Sequence, residues 1–97
     1  MILGRLFSRS LLTPKVEAAL NAQIKAELSA SLTYMAASNW YDSKNLTNIH
    51  EFLRKESNEE KQHAEVIIDY INKRNGKAVI PSVEPADVKF TKHDLIF

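Results

Sequence analysis

The sequence predicts an all-α fold: an antiparallel helical hairpin that dimerises into a four-helix bundle. Three observations carry that expectation. Two glycines and three prolines in 97 residues leave long stretches without a chain breaker. In two of those stretches the apolar residues return at the helical period. A chain this short buries only about 60% of the surface its unfolded form exposes, so a second copy is a natural source of further core.

Residues 1–12 form an N-terminal extension that carries Arg5, Ser8, Arg9 and Ser10 and no acidic residue, the composition of a very short organellar presequence or an amphipathic arm. Helix signals then begin sharply. Thr13 is placed to cap, Pro14 suits the first helical position, and Glu17 falls in the first turn, where the positive end of the helix dipole favours a carboxylate. From Pro14 to Tyr41 nothing interrupts. At about 100° per residue Val16, Leu20, Gln23, Glu27, Ser31, Tyr34, Ser38 and Tyr41 fall close to one line, taken as the core-facing stripe. Asp42, Ser43, Lys44 and Asn45 make a polar break of the length that joins antiparallel neighbours.

A second helix is expected from Leu46 to Asn75. Its central line holds Ile49, Leu53, Glu60, Ile67 and Ile71, with Glu56 and His63 on the flanks. Lys73 and Arg74 suit the C-terminal turn, and Gly76 is the expected left-handed stop. The hairpin therefore occupies 13–76. Pro81 and Pro85 lie in a stretch without sustained period, so 77–97 reads as an extended tail, with a short strand or one helical turn open to Val88–Phe97.

Composition removes several function classes. Thirteen basic and twelve acidic residues balance to +1, so no net field draws the chain to nucleic acid or an anionic membrane. The absence of cysteine excludes disulfides, thiolate metal sites and cysteine nucleophiles. No apolar run reaches the roughly 18 residues of a membrane span. The expected compartment is the cytoplasm, with organellar targeting by residues 1–12 as the other possibility.

The chemistry concentrates at mid-height. Glu27 sits on the stripe of the first helix and Glu60 on that of the second, and an ionised carboxylate on a buried stripe costs several kcal/mol, order of magnitude, unless a positive charge compensates it. Both lie about sixteen residues from the turn, so folding back sets them level. His63 follows Glu60 by one turn on the same face. A Glu-x-x-His pair opposite a lone glutamate is half of the ligand set of di-iron carboxylate bundles. Two copies about a two-fold axis would bring four carboxylates and two imidazoles around two divalent ions. Oxygen and imidazole donors suit Fe, Mn or Zn, and the lack of thiolate argues against copper(I).

These residues resemble a known family. Val16 to Leu28, continuing to Tyr34, is similar to the first helix of ferritin, and Glu56-Ser57-Asn58-Glu59-Glu60-Lys61-Gln62-His63-Ala64-Glu65 to its second. The resemblance implies a ferritin-like bundle in which Glu27, Glu60 and His63 are ferroxidase ligands and Tyr34 is the tyrosine beside the centre, counted among the catalytic side chains. In that reading Glu27 is a terminal ligand, Glu60 a bridging one and His63 a terminal nitrogen ligand. Two iron ions per dimer are oxidised from Fe(II) to Fe(III) by dioxygen or peroxide. Lys61 stands where haem-binding relatives have methionine, so no haem is expected. Ferritin subunits have four long helices and this sequence matches two, so the remaining ligands are expected from a partner, as in two-helix encapsulated ferritins. A homodimer is the minimum, with a ring or cage, a shell protein or a full-length ferritin as further partners.

Plainer readings stand beside these. A buried Glu-x-x-His is often a structural hydrogen-bonded pair, and Tyr34 a core aromatic with a bonded hydroxyl. Glu56 and Glu59 are solvated or interface charges, with an accessory metal role as the sharper option. Glu65 and His50 read as surface residues, and Trp40 and Tyr41 as packing or oligomer contacts near the hairpin tip. The competing functions are a non-enzymatic truncated subunit that co-assembles with or regulates full-length ferritin, and a di-metal carrier without oxidase turnover.

Overall fold

The computed structural model describes residues 9–84. Two helices make up its regular structure, α1 over Pro14–Ser43 and α2 over Thr47–Lys73. Thr13 caps α1 as expected. Its backbone is extended and its hydroxyl accepts a 3.2 Å hydrogen bond from the Val16 amide, with Pro14 at the helix start. α1 runs two residues beyond Tyr41. The turn then closes with amides of Lys44 and Leu46 on the Tyr41 carbonyl and that of Asn45 on Asp42. Asn45 takes φ 60°, a left-handed conformation that asparagine tolerates better than most residues.

The seam between the helices differs from the stripe drawn by projection. In α1 the buried residues are Ile24, Ser31, Ala37, Ser38 and Tyr41; in α2 they are Leu53, Ser57, Ala64 and Ile71. Ile24, Ser31 and Ser38 are heptad-spaced, as are Ser57, Ala64 and Ile71, the repeat that keeps two helices in register along one line. Glu27 and Tyr34 on α1, and Glu60 and Ile67 on α2, lie on the shoulder of this seam and are half-buried. Val16, placed on the core stripe by its angle, is 45% exposed. A helical projection locates an apolar arc wide enough for two neighbours, whereas a single partner helix covers only one edge of it.

Small polar residues set the closeness of the seam. The Ser31 hydroxyl donates to the Ser57 carbonyl at 2.8 Å, and the Ser57 hydroxyl to the Ser31 carbonyl at 2.7 Å. Nearer the tip, the Ser38 hydroxyl donates to the His50 carbonyl and lies 2.9 Å from His50 Nδ1. With the serine hydrogen committed to the carbonyl, Nδ1 supplies the hydrogen of the second bond. His50 is thus half-buried and bonded across the seam rather than a surface residue. Its Nε2 faces Asp42 at 4.0 Å. Ser38, His50 and Asp42 share the composition of a hydrolytic triad, yet Ser38 is fully buried and its hydrogen is spent on backbone, so the group is a tie between helices. Among the described residues no buried side-chain oxygen or nitrogen lacks a hydrogen-bond partner.

Both ends of the hairpin's chain converge opposite the tip. The left-handed residue that ends α2 is Asn75, at φ 57°, and Gly76 has no positive φ, which corrects the sequence expectation. Gly76 is required for space instead. A Cβ there would meet Ile71 Cγ2 and Leu12 Cδ1 at 2.9 Å and Glu17 Oε1 at 3.0 Å. That crowding arises because Leu12 and Ala78 close over the Ile24, Ala64 and Ile71 cluster. Hydrogen bonds hold the arrangement: the Leu11 amide to the Arg74 carbonyl, the Lys77 amide to Glu17 Oε1, the Asn21 side-chain amide to the Lys77 carbonyl, and the Val79 amide to Asn21 Oδ1. Glu17, expected to serve the helix dipole, also pins the residues after α2. Residues 77–84 carry no regular structure. The strand or turn expected for Val88–Phe97, and most of the N-terminal extension, lie outside the described residues. Among the described residues no helix is long and apolar enough to cross a membrane.

Gly76→Ala is therefore expected to destabilise the chain by about 1–3 kcal/mol, while Asn75→Gly, which relieves a left-handed asparagine, is neutral or mildly stabilising. Thermal unfolding followed by circular dichroism checks both, and a reversed order would contradict the assignment of the stop to Asn75.

Candidate metal centre

At mid-height of the hairpin the two helices bring Glu27, Glu60 and His63 together. One ligand-capable atom from each lies within 4.8 Å of the other two. The serine exchange at Ser31 and Ser57 fixes the level of the two helices one turn nearer the tip, and uniform rise per residue carries that level to the carboxylates. His63 Nδ1 stands 3.6 Å from Glu27 Oε2 and 3.6 Å from Glu60 Oε2. Three donor atoms this close could face one cation placed between them. The donor set, two carboxylate oxygens and one imidazole nitrogen, suits Fe, Mn or Zn.

The side chains of Glu27 and Glu60 are 16% and 22% exposed, and that of His63 is 60% exposed. The carboxylates are thus less wet than surface acids, and among the described residues the imidazole stays largely exposed. A hydrogen bond with Glu60, followed by one from the Gln23 amide, holds Glu27 below the usual carboxylate range. The same hydrogen bond with Glu27, then burial, then the Glu27 charge push Glu60 above it. Two facing carboxyl groups cannot both ionise without repulsion, and the opposite shifts make Glu27 the more acidic of the pair.

Tyr34 stands seven residues from Glu27 toward the tip and packs beside Ala37, Tyr41 and Leu53. With Asn48, Ile49, Phe52 and Leu53 it lines an apolar cavity of about 390 Å³ on the scale of a ligand-sized cleft. Trp40 and Tyr41 meet edge to face at 5.1 Å, with the Lys44 ammonium 5.6 Å from the Trp40 ring. Glu65 is exposed, whereas Glu56 and Glu59 are half-buried. Gln23, which projection placed on the stripe without a role, donates a 2.8 Å hydrogen bond to Glu27 Oε1. The signal that could have found it is the Gln-to-Glu spacing of four.

Half-buried Glu27 and Glu60 with His63, on an antiparallel pair of helices, form a group that could hold a metal ion, the donor set of a carboxylate bundle. Comparison with known proteins gives the particular family. The family model described as ferritin-like domain matches residues 17–95, and the chain belongs to the ferritin family. It is 37% identical over 73 residues to soma ferritin of Lymnaea stagnalis, covering 73% of this chain and 42% of that protein. Similarity to the chloroplastic ferritin-3 of Arabidopsis thaliana is 38% over 81 residues, 80% of this chain and 31% of that protein. For the middle ferritin subunit of Aquarana catesbeiana it is 39% over 70 residues, 70% of this chain and 40% of that protein. The chain thus spans less than half the length of these relatives.

The sign of the pH dependence follows from the two opposite shifts. Glu27, with its lowered pKa, stabilises the metal-free fold above its unfolded value and loses that contribution in acid. Glu60, with its raised pKa, contributes while protonated and loses its contribution as pH rises through its folded pKa. Glu60→Gln keeps the hydrogen-bond donor and removes the repulsion, so the metal-free variant is expected to melt higher than the parent at neutral pH. A divalent cation at 100 times its Kd should stabilise the parent by about 2.7 kcal/mol and leave the variant unmoved. Melting curves with and without chelator across acid to neutral pH test this.

Proposed function

We propose that the chain binds Fe(II) at Glu27, Glu60 and His63 and oxidises it in a di-iron centre completed by a second copy. The convergence of those three side chains carries the reading. Glu27 serves as a terminal ligand, Glu60 as the bridge between two ions and His63 as a terminal nitrogen ligand. Fe(II) is the substrate. Two ions give up one electron each, and dioxygen takes the two electrons with two protons to leave hydrogen peroxide and two Fe(III). To bridge, Glu60 must be ionised against the Glu27 hydrogen bond and charge that push its pKa up. The entering cations supply the positive charge that makes two ionised carboxylates tolerable there.

Several features support the second copy. One chain offers two carboxylates and one imidazole, half of a di-iron set. Leu20 and Tyr34 stand seven residues either side of Glu27, and Leu53 and Ile67 seven either side of Glu60. Leu53 is already buried in the seam, while Leu20, Tyr34 and Ile67 are half-buried and open to a copy turned end for end about the same acidic level. Val16 and Tyr70, 45% and 43% exposed, extend that face. Association would cover His63 and exclude water from the ions. The relatives are named ferritins, and storage of the oxidised iron within a larger assembly is the corresponding proposal for this chain. Relatives named chloroplastic, together with the acid-free segment 1–12, make an organelle the alternative to a cytoplasmic site.

The test is Fe(II)-dependent oxygen uptake by the purified chain, with stopped-flow absorbance to follow Fe(III). Glu60→Ala and His63→Ala are each expected to slow oxidation by at least about tenfold toward the rate in buffer, with helical content kept. Unchanged rates in both variants would remove the site. Light scattering on the same samples should give a dimer or a larger closed assembly. A monomeric hairpin that neither binds nor oxidises iron would favour the non-enzymatic, co-assembling subunit.

A further inference from the structure

The two oxygens of the Glu27 carboxylate have different partners. Oε1 accepts the 2.8 Å hydrogen bond from Gln23 Nε2, one turn earlier on α1. Oε2 faces His63 Nδ1 at 3.6 Å, and that nitrogen is equally far from Glu60 Oε2. Oε2 is thus the oxygen placed toward His63, while Oε1 is the one Gln23 holds. We propose that Gln23 is a positioning residue for the metal site: by holding Oε1 it confines Glu27 to a one-oxygen contact with the cation. It thereby sets both the affinity and the coordination number. This rests on the reading of Glu27, Glu60 and His63 as cation ligands.

The chemistry of the side chain fits the task. A glutamate on a helix has three torsions to immobilise, and fixing them before the cation arrives removes part of the entropic cost of binding. A hydrogen bond to an ionised carboxylate is stronger than one between neutral groups. The amide donor is uncharged, so Glu27 keeps its full negative charge for the ion. A lysine in its place would compete with the cation as a counter-charge, and a glutamate would repel Glu27. Hydrogen-bonding partners of metal-binding side chains commonly govern affinity by about 10- to 100-fold.

Cobalt(II) titration of the full chain, followed in the visible d–d bands, tests the proposal without reference to turnover. Gln23→Met keeps the side-chain length and removes the donor, and Gln23→Ala is the second variant. Gln23 is exposed, so both should retain helical content, which circular dichroism verifies. The expected result is a Kd raised by about 10- to 100-fold and weaker d–d absorption, as the released carboxylate binds through both oxygens and raises the coordination number. A role confined to helix stability would leave band intensity at saturation unaltered. Parent-like affinity and spectrum in both variants, with the parent binding cobalt, would overturn the positioning role and leave the site standing. Failure of the parent to bind cobalt would overturn the site and the positioning role together.

Discussion

Ser31 and Ser57 pass their hydroxyl hydrogens to each other's backbone carbonyls across the seam, at 2.8 and 2.7 Å, with the two hydroxyl oxygens 3.1 Å apart. A serine at this position is small enough to let the helix backbones approach, and its hydrogen bond fixes one level on α1 to one level on α2. Leucine in either place would hold the helices apart and leave the register to less directional apolar contacts. Because rise per residue is uniform, fixing that level also fixes Glu27 opposite Glu60 one turn away. The meeting of two acidic groups is thus a consequence of how the seam closes.

The fold accepts an unfavourable arrangement at that point. Two half-buried carboxyl groups are held face to face, and the strain shows as opposite shifts, Glu27 below and Glu60 above the usual carboxylate range. Residues selected for stability alone would not be placed so, since an apolar pair of similar volume would pack there without the electrostatic cost. Strongly coupled titrating groups in a partly dry position are characteristic of sites that do chemistry. The surrounding hairpin carries the cost through features remote from the acids: the Ile24, Ala64 and Ile71 cluster, closed by Leu12 and Ala78, and the aromatic cluster of Tyr41 and Trp40 near the turn. The pinning of residues 77–79 by Glu17 and Asn21 adds to the same end of the molecule.

Much of the architecture was legible residue by residue. Thr13, Pro14 and the polar run after Tyr41 mark ends because capping and turn chemistry act over a few neighbours. The levelling of Glu27 with Glu60 needed only equal counts to the turn. Other points required neighbours distant in the chain. Gly76 carries the conventional signal for a left-handed stop, yet Asn75 takes that conformation, and glycine is needed at 76 for space, because Leu12, Ile71 and Glu17 crowd it. His50 looks like a surface residue in its own stretch of sequence and is tied to Ser38, twelve residues away.

The sequence by itself determined that two helices form, where they begin, and that an acid on one meets a Glu-x-x-His on the other. These follow from periodicity, caps and counting, which are local properties of the chain. Tertiary structure decided which edge of each apolar arc closes first. It put Ser31 and Ser57 in the seam and left Glu27, Glu60, Tyr34 and Ile67 on its shoulder. It also gave Glu27's two oxygens different partners. A pattern of side chains along a helix specifies an arc; only the position of the neighbouring helix specifies which part of the arc is buried and which atoms face one another.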